Sequence, residues 1–302
     1  MTSMTSQDAP PFSLSVVLPA HNEASKLPSV LLELKQQLPN AELLVVDDGS
    51  TDATAAEAQR AGASVVRHPR RLGNGAAIKT GARQATGEVI IFMDADGQHD
   101  PADIPRLLRK FQEGYYMVVG ARKGVSQASV GRRVANGFYN RLASVMTGHR
   151  IEDLTSGFRA VRAKEFRKFL YLLPNGFSYP TTSTMAFFRA GYPVAYVPIH
   201  ARKREGKSKL NIVRDGVRFF VIILKIGALF SPMRLFLPIS AFLLSAGSGL
   251  YGYNYYSQGR FTNMSALLFM SSLFTFLIGI LSEQISSLHY RGIEESERDH
   301  RQ

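Results

Sequence analysis

The stretch Val89-Ile90-Ile91-Phe92-Met93-Asp94-Ala95-Asp96-Gly97-Gln98 decides the fold. An apolar run of strand-like composition ends in two carboxylates one residue apart. Strand side chains alternate in direction, so Asp94 and Asp96 point the same way if strand geometry continues through Ala95. Two carboxylates held close repel unless a cation sits between them, and a hard divalent ion with oxygen ligands is the natural occupant. Such an ion, Mg²⁺ or Mn²⁺, would in turn neutralise a diphosphate. An Asp-x-Asp pair also arises as a solvated turn, so its neighbours matter. Leu43-Leu44-Val45-Val46 runs into Asp47-Asp48-Gly49-Ser50, and the run Leu14 to Leu18 into Pro19-Ala20-His21-Asn22-Glu23. Three strands thus deliver acidic or polar groups at their C-terminal ends. In an open α/β sheet that edge binds ligands.

Working outward, the pattern predicts strands at 14–18, 43–47, 63–66, 89–94, 116–120 and 194–198. Helices are predicted at about 25–38, 52–61, 75–85, 101–113, 129–147, 163–172 and 178–190. In the first, Leu27, Val30, Leu31, Leu34 and Leu38 share a face. This alternation implies right-handed βαβ units and a mostly parallel sheet. Gly73-Asn74-Gly75 lacks the third glycine of a dinucleotide fingerprint. Gly75 to Thr80 has the wrong spacing for the phosphate loop of nucleotide hydrolases. A tight turn opening the helix at 75–85 is the favoured reading, with Lys79 facing solvent.

The chain has 302 residues, a net charge of +12 and no cysteine. Disulfide scaffolds are excluded, and the charge suggests a polyanionic partner: nucleic acid, anionic lipid or a phosphorylated substrate. Met1 to Pro11 is polar, without the features of a signal peptide. Residues 12–209 look soluble, while 210–288 are strongly apolar. Leu235 to Tyr256 carries no charge; at 1.5 Å per residue it reaches ~33 Å, against a bilayer core of ~30 Å. Met264 to Ser282 is a second such stretch, ending before Glu283. The expected organisation is a tail at 1–11, a soluble α/β domain at 12–209, an amphipathic interfacial region at 210–231, a membrane hairpin at 232–288 and a tail at 289–302. The hairpin's spans fall at about 235–256 and 264–284. In the interfacial region Arg214, Arg218 and Lys225 share one helical face, suited to lipid phosphates. Arg214, Arg218, Lys225 and Arg234 precede the first span, Arg291, Arg298 and Arg301 follow the second, and only Arg260 lies in the loop. The positive-inside rule therefore places the α/β domain on the cytoplasmic side of a cell (inner) membrane, as part of a multi-pass protein. Ser245, Ser248, Gly249 and Gly252 are small enough for a helix–helix contact, which leaves a homo-oligomer open.

Taken together, these residues resemble the family 2 glycosyltransferases of GT-A fold, and more narrowly the polyprenyl- and dolichyl-phosphate hexosyltransferases, including dolichol-phosphate mannose synthases. The resemblance rests on Val17 to Glu23, Val46 to Asp52, Gly73 to Gly81, Asp94 to His99, Gly120-Ala121-Arg122, Asp153 to Arg159 and Gly206 to Leu210. It implies a Rossmann-like mixed, mostly parallel sheet and transfer of one hexose, with inversion, from a nucleotide sugar of GDP-mannose or UDP-glucose type to a polyprenyl or dolichyl phosphate. Pro19, Ala20, Asn22, Glu23, Val46, Asp48, Asp94 and Ala95 would line the donor nucleotide site, and Arg204 and Lys209 would close over its phosphates. Asp94, Asp96 and Gln98 would hold the metal. Arg122 and Arg133 would meet the lipid phosphate, with Arg132 and Arg133 not separable. The resemblance assigns the catalytic positions to Asp96, Asp153 and Arg122, Asp153 polarising the acceptor or positioning a basic residue. Gly137 stands where a small hydroxyl residue is expected.

Other functions fit less well. A polysaccharide synthase needs more than two spans and a tryptophan-containing acceptor motif, and the chain has no tryptophan. A silent membrane scaffold or a nucleic-acid binder leaves Asp94, Asp96 and Arg122 without purpose. The hairpin gives the positive charge a simpler origin in lipid and phosphate, so no nucleic-acid partner is expected.

Overall fold

The computed structural model describes residues 11–122, 130–176, 178–199, 221, 224, 227–228 and 231–299, without side-chain detail for 130–136 and 289–299. They form two compact units.

The first unit is built on a seven-stranded sheet. Strands β1 (Leu14–Ala20), β2 (Glu42–Asp47), β3 (Ser64–Arg67), β4 (Val89–Phe92), β5 (Met117–Arg122), β6 (Arg159–Arg162) and β7 (Val194–Ile199) lie in the order β3-β2-β1-β4-β6-β5-β7. All neighbours are parallel except β6, which runs antiparallel to both β4 and β5. The expectation of a mixed, mostly parallel sheet is met. β1, β2 and β4 are buried along nearly their whole length, which is why they read as continuous Val/Ile/Leu runs.

Helices α1 (Leu27–Gln37), α2 (Thr54–Arg60), α3 (Asn74–Gln84) and α4 (Ile104–Gln112) connect the parallel strands. α1 buries Leu27, Val30, Leu31 and Leu34, one stripe of the 3.6-residue repeat. Each such side chain contributes about 1.5–3 kcal/mol as an upper estimate, and Leu31→Ala would cost ~2–5 kcal/mol. α3 opens against the backbone of Pro174, Asn175 and Gly176. A Cβ on Gly75 would come within 2.0 Å of the Pro174 carbonyl oxygen, so only glycine permits this approach. The N–H groups of Gly75 and Ala76 donate to the carbonyls of Gly176 and Asn175. The helix N-terminus is thus satisfied by protein.

The rest of this unit holds α6 (Ala163–Arg167), α7 (Tyr179–Arg189) and the first part of α5 (Val130–Thr147). Four expectations need correction. The strand drawn at 89–94 ends at Phe92, and Ala95-Asp96 form a turn whose Gly97 has φ +74°. Asp94 and Asp96 therefore do not project from one strand. The helix drawn at 163–172 stops at Arg167, followed by a separate turn at Leu170–Leu172. β6 was not anticipated, because four residues with arginine at both ends carry no apolar alternation. Lys79 does not simply face solvent: its ammonium bonds the Leu173 carbonyl at 3.1 Å and the Asn175 side chain.

The second unit contains α8 (Pro232–Gln258) and α9 (Asn263–Asp299), together with Leu142–His149. Both helices are long and apolar enough to cross a membrane. They meet at Ser240 and Ser272, whose hydroxyls each donate to the other's backbone carbonyl at 3.0 and 2.9 Å. Gly247, facing Leu268 and Phe269, sits in this contact. Ser245, Ser248, Gly249 and Gly252 are exposed and take no part in it. Phe242, Leu244, Leu277 and Ile285 also point outward. Within the interfacial region Arg214, Arg218 and Lys225 lie outside the described residues.

Candidate functional site

The C-terminal ends of β1, β2 and β4 share one edge of the sheet and surround a cleft of about 300 Å³. β1 and its following loop contribute Pro19, Ala20, His21 and Glu23; β2 leads to Asp48; α3 adds Asn74 and Ala77; the turn after β4 supplies Asp94, Ala95 and Asp96. Arg71 completes the lining. Six of the expected donor residues therefore share one cleft with Asp96, although the turn rather than a strand brings its two carboxylates there.

Two donor-side residues lie elsewhere. Val46 is fully buried in the ladder beside Pro19, beneath the cleft. Asn22 is exposed and holds φ +57°, a left-handed conformation asparagine tolerates. Its Oδ1 accepts from the Thr51 N–H at 2.9 Å and its own N–H donates to Ser50 Oγ at 2.9 Å. It latches the β1 loop to the loop after β2.

Asp48 is held from three directions. Its Oδ1 accepts from Leu72 N–H and pairs with His68 Nδ1, both at 2.8 Å, and its Oδ2 accepts from Gly73 N–H at 2.8 Å. Burial pulls this carboxyl up, but the His68, Leu72 and Gly73 bonds outweigh it and leave it below its ordinary value. His68 Nε2 lies 2.9 Å from Thr80 Oγ1, so Asp48 is tied to α3 through it. Neither His68 nor Arg71 was singled out in the sequence, and Asn74 was quoted there only within the Gly73–Gly75 turn.

Asp94 packs against Gly157, where a Cβ would come within 3.2 Å of its Oδ2. Gln98 donates its backbone N–H to Asp96 Oδ1 at 3.1 Å, and its side-chain amide bonds Asp96 Oδ2. Asp94, Asp96 and the Gln98 carbonyl would together make an all-oxygen donor set, of a chemistry that suits Mg²⁺ or Mn²⁺. No group of three or more His, Cys, Asp or Glu side chains able to hold a metal occurs among the described residues. Such a set suits a cation that takes its remaining ligands from substrate phosphates and water.

On the other side of β4, Arg122 at the end of β5 grips Asp153. Its Nε donates to Oδ2 at 2.8 Å and its Nη2 to Oδ1 at 3.0 Å, with a further bond from Nη2 to Thr155 Oγ1 at 2.5 Å. Asp153 also accepts from the N–H groups of Arg122, Thr155 and Ser156. It is 4% exposed. Burial raises this carboxyl, yet Arg122 and the backbone donors outweigh burial and hold it below its usual value. The ionised form is thus the one that the arginine and the backbone donors favour. Asn140 of α5 secures the same loop, donating to the Glu152 carbonyl at 2.7 Å and accepting from Leu154 N–H at 3.1 Å.

His99 is 6% exposed, stacked on Phe158 at 5.1 Å. Burial depresses its basicity, while Asp94 and Asp96 act the other way. The side chains of Arg132 and Arg133, and all of Arg204 and Lys209, lie outside the described residues. Gly137 is exposed on α5 with open space around it.

Comparisons with known proteins follow this geometry. The family model described as glycosyl transferase family 2 matches residues 15–170, and that described as the GtrB C-terminal hairpin matches residues 231–288. An undecaprenyl-phosphate 4-deoxy-4-formamido-L-arabinose transferase of Pseudomonas fluorescens (strain Pf0-1) is 34% identical over 67% of this chain. That alignment spans only 61% of the relative's own length. Glycosyltransferase AglJ of Haloferax volcanii is 28% identical, covering 95% of this chain and 99% of the relative. Among solved structures, glucosyl-3-phosphoglycerate synthase from Mycobacterium tuberculosis in complex with Mn²⁺, uridine diphosphate and phosphoglyceric acid superposes with a TM-score of 0.60. It shares 23% identity, covers 72% of this chain and 79% of its own, and shows the fold.

Proposed function

Since the chain belongs to glycosyl transferase family 2, we propose that it moves one hexose from a nucleotide sugar to a polyprenyl phosphate at a membrane surface, with inversion at the anomeric carbon. The observation that carries this reading is the joining, in one unit, of the Asp94/Asp96 cleft to the Arg122–Asp153 pair, in a chain ending in an apolar helical hairpin. The names of the P. fluorescens and H. volcanii relatives support it.

In this reading the nucleotide lies across Pro19, Glu23, Asp48, Arg71 and Asn74. Asp94, Asp96 and Gln98 would hold Mg²⁺ or Mn²⁺. A bound cation supplies charge neutralisation at the departing diphosphate. The bond between the anomeric carbon and the diphosphate oxygen breaks, and an oxygen of the lipid phosphate forms the new bond. A phosphate monoester has its second pKa near ~6, so it attacks largely as a dianion and no base has to remove a proton. Arg122 has Nε and Nη2 committed to Asp153 and Thr155, which leaves Nη1 to meet the phosphate. Asp153 keeps the fork in that attitude. The basic residues flanking the hairpin support a cytoplasmic catalytic unit.

The test is purified protein offered a panel of nucleotide sugars with a polyprenyl phosphate, the lipid product being weighed by mass spectrometry. A single sugar per lipid phosphate is expected; a ladder of longer chains, or no lipid-linked product, overturns the reading. Orientation is read separately. The chain lacks cysteine, so one placed at Gln258 should react with impermeant maleimide outside intact cells, and one at Gln7 should not. Labelling of Gln7 sinks the cytoplasmic assignment.

A further inference from the structure

Arg159 is fully buried at the start of β6, between Phe92 of β4 and Val119 of β5. Among the described residues its guanidinium donates to uncharged partners. Nη1 donates to the Pro180 carbonyl at 3.1 Å, Ser183 Oγ at 2.8 Å and Thr184 Oγ1 at 3.2 Å, and lies 3.8 Å from Met117 Sδ. Nη2 donates to the Ser156 carbonyl. Nε has no partner among the described residues. The guanidinium sits 5.6 Å from the centre of the Tyr179 ring.

A buried charge without a bonded counter-ion is expensive, and arginine does not escape by losing its proton. Neutral side chains such as methionine or glutamine fill similar space without that cost. Burial prevails here and pulls Arg159 below the ordinary arginine range, while Tyr179, Tyr196, Asp153 and, least, Asp94 act the other way. The link to Asp94 is also mechanical. Tyr179 donates its hydroxyl to the Gly157 carbonyl at 2.9 Å, and Asp94 rests on Gly157. Arg159 holds the neighbouring Ser156 carbonyl. One buried cation thus lies behind Asp94, one of the two carboxylates assigned to the metal, and fixes the backbone against which it packs.

We propose that Arg159 is a positioning residue whose buried charge limits how tightly Asp94 and Asp96 hold a divalent cation, so that the cation and the nucleoside diphosphate can leave after transfer. The inference rests on the reading of Asp94 and Asp96 as cation ligands. It assigns the charge of Arg159, and not only its shape, to the site.

The experiment measures Mn²⁺ binding to the full-length protein, without nucleotide, by electron paramagnetic resonance or calorimetry. Arg159→Met and Arg159→Gln should bind Mn²⁺ roughly tenfold more tightly than wild type, because a buried charge acts on a divalent ion through a weakly screening interior. Arg159→Lys keeps the charge and should match wild type. The double variant Ser183→Ala/Thr184→Ala loses hydrogen bonds but no charge; it should melt earlier and bind Mn²⁺ normally. A purely structural role predicts the reverse, with both neutral variants binding more weakly, and that result overturns the proposal. So does tightening in Arg159→Lys, or failure of both neutral variants to fold, which assigns Arg159 to packing alone. If wild type binds no more Mn²⁺ than Asp94→Asn does, the cation reading itself falls, and this inference with it.

Discussion

Asp94 and Asp96 line an open cleft, whereas Asp153, in the same unit, is 4% exposed and closed off by Arg122 and three backbone N–H groups. The residue type is the same and the work is opposite. Carboxylates facing an open cleft can take a cation. A carboxylate saturated by donors fixes the direction of the arginine that holds it. Environment divides one kind of side chain into two roles, and in the proposed reading these are a donor half and an acceptor half of the site.

The largest expected effect breaks the donor half alone. Asp94→Asn or Asp96→Asn should abolish transfer, since an unneutralised diphosphate costs several kcal/mol of transition-state stabilisation. Mn²⁺-dependent nucleotide binding should vanish while the thermal melt stays cooperative. Chelator should reproduce the loss reversibly. Full activity in excess EDTA would remove the distinction between the halves.

Next in size is the acceptor half. Arg122→Ala removes one charge-assisted phosphate contact, about 1.5–3 kcal/mol, so use of polyprenyl phosphate should fall roughly tenfold to a hundredfold or more. It also leaves Asp153 buried without its partner, which should lower stability by ~3–5 kcal/mol. Nucleotide-sugar affinity, titrated without lipid, should change little. If donor binding fell and acceptor use did not, the two halves would be assigned the wrong way round.

The donor half is the part legible in the sequence, for a local reason. Its residues fall at the ends of apolar runs, within a few positions of one another, as in Val46 to Ser50 and Phe92 to Gln98. Strand ends on a parallel sheet converge, so reading three of them locates the cleft. Even there the geometry differed: a turn, not a continuing strand, carries Asp94 and Asp96. His68 and Arg71 escaped, and Asn74 was read only as part of a turn, because their places come from where α3 and its preceding loop dock. The acceptor half depends on β6, which inserts antiparallel between β4 and β5. Its four residues carry arginine at each end and give no period-two signal, and Arg159 reverses the rule that charge lies outside. Contacts between positions as distant as Arg122, Asp153 and Asn140 cannot be read from spacing.

A smaller effect follows from acid titration and sets a donor-side carboxylate against Asp153. Asp48 and Asp153 both titrate below the ordinary aspartate value of 3.8 in the folded chain. A depressed carboxylate contributes stability that is fully present above its unfolded value and is lost as pH falls through its folded value. Both contributions should therefore persist at neutral pH and fade below about pH 4. Asp48→Asn should reduce stability at pH 7 and flatten the acid limb of a stability profile. An unchanged profile would show that His68, Leu72 and Gly73 do not favour the ionised form.

The smallest effect tests whether the acceptor half is held by neutral as well as charged contacts. Asn140 reaches from α5 to both sides of Asp153, through the Glu152 carbonyl and the Leu154 N–H. A neutral hydrogen bond contributes about 1 kcal/mol net, so Asn140→Ala should cost roughly 1–2 kcal/mol in stability. The loop that presents Asp153 would loosen without losing its charge pair. The apparent KM for polyprenyl phosphate should then rise about two- to fivefold, less than one charge-assisted contact is worth. Donor affinity should change little, because the cleft meets this loop where Asp94 packs on Gly157, beyond the Glu152 and Leu154 anchors that Asn140 holds. Equal losses on both substrates would mean that the loop supports the whole site, and that the halves are coupled through backbone rather than separated by it.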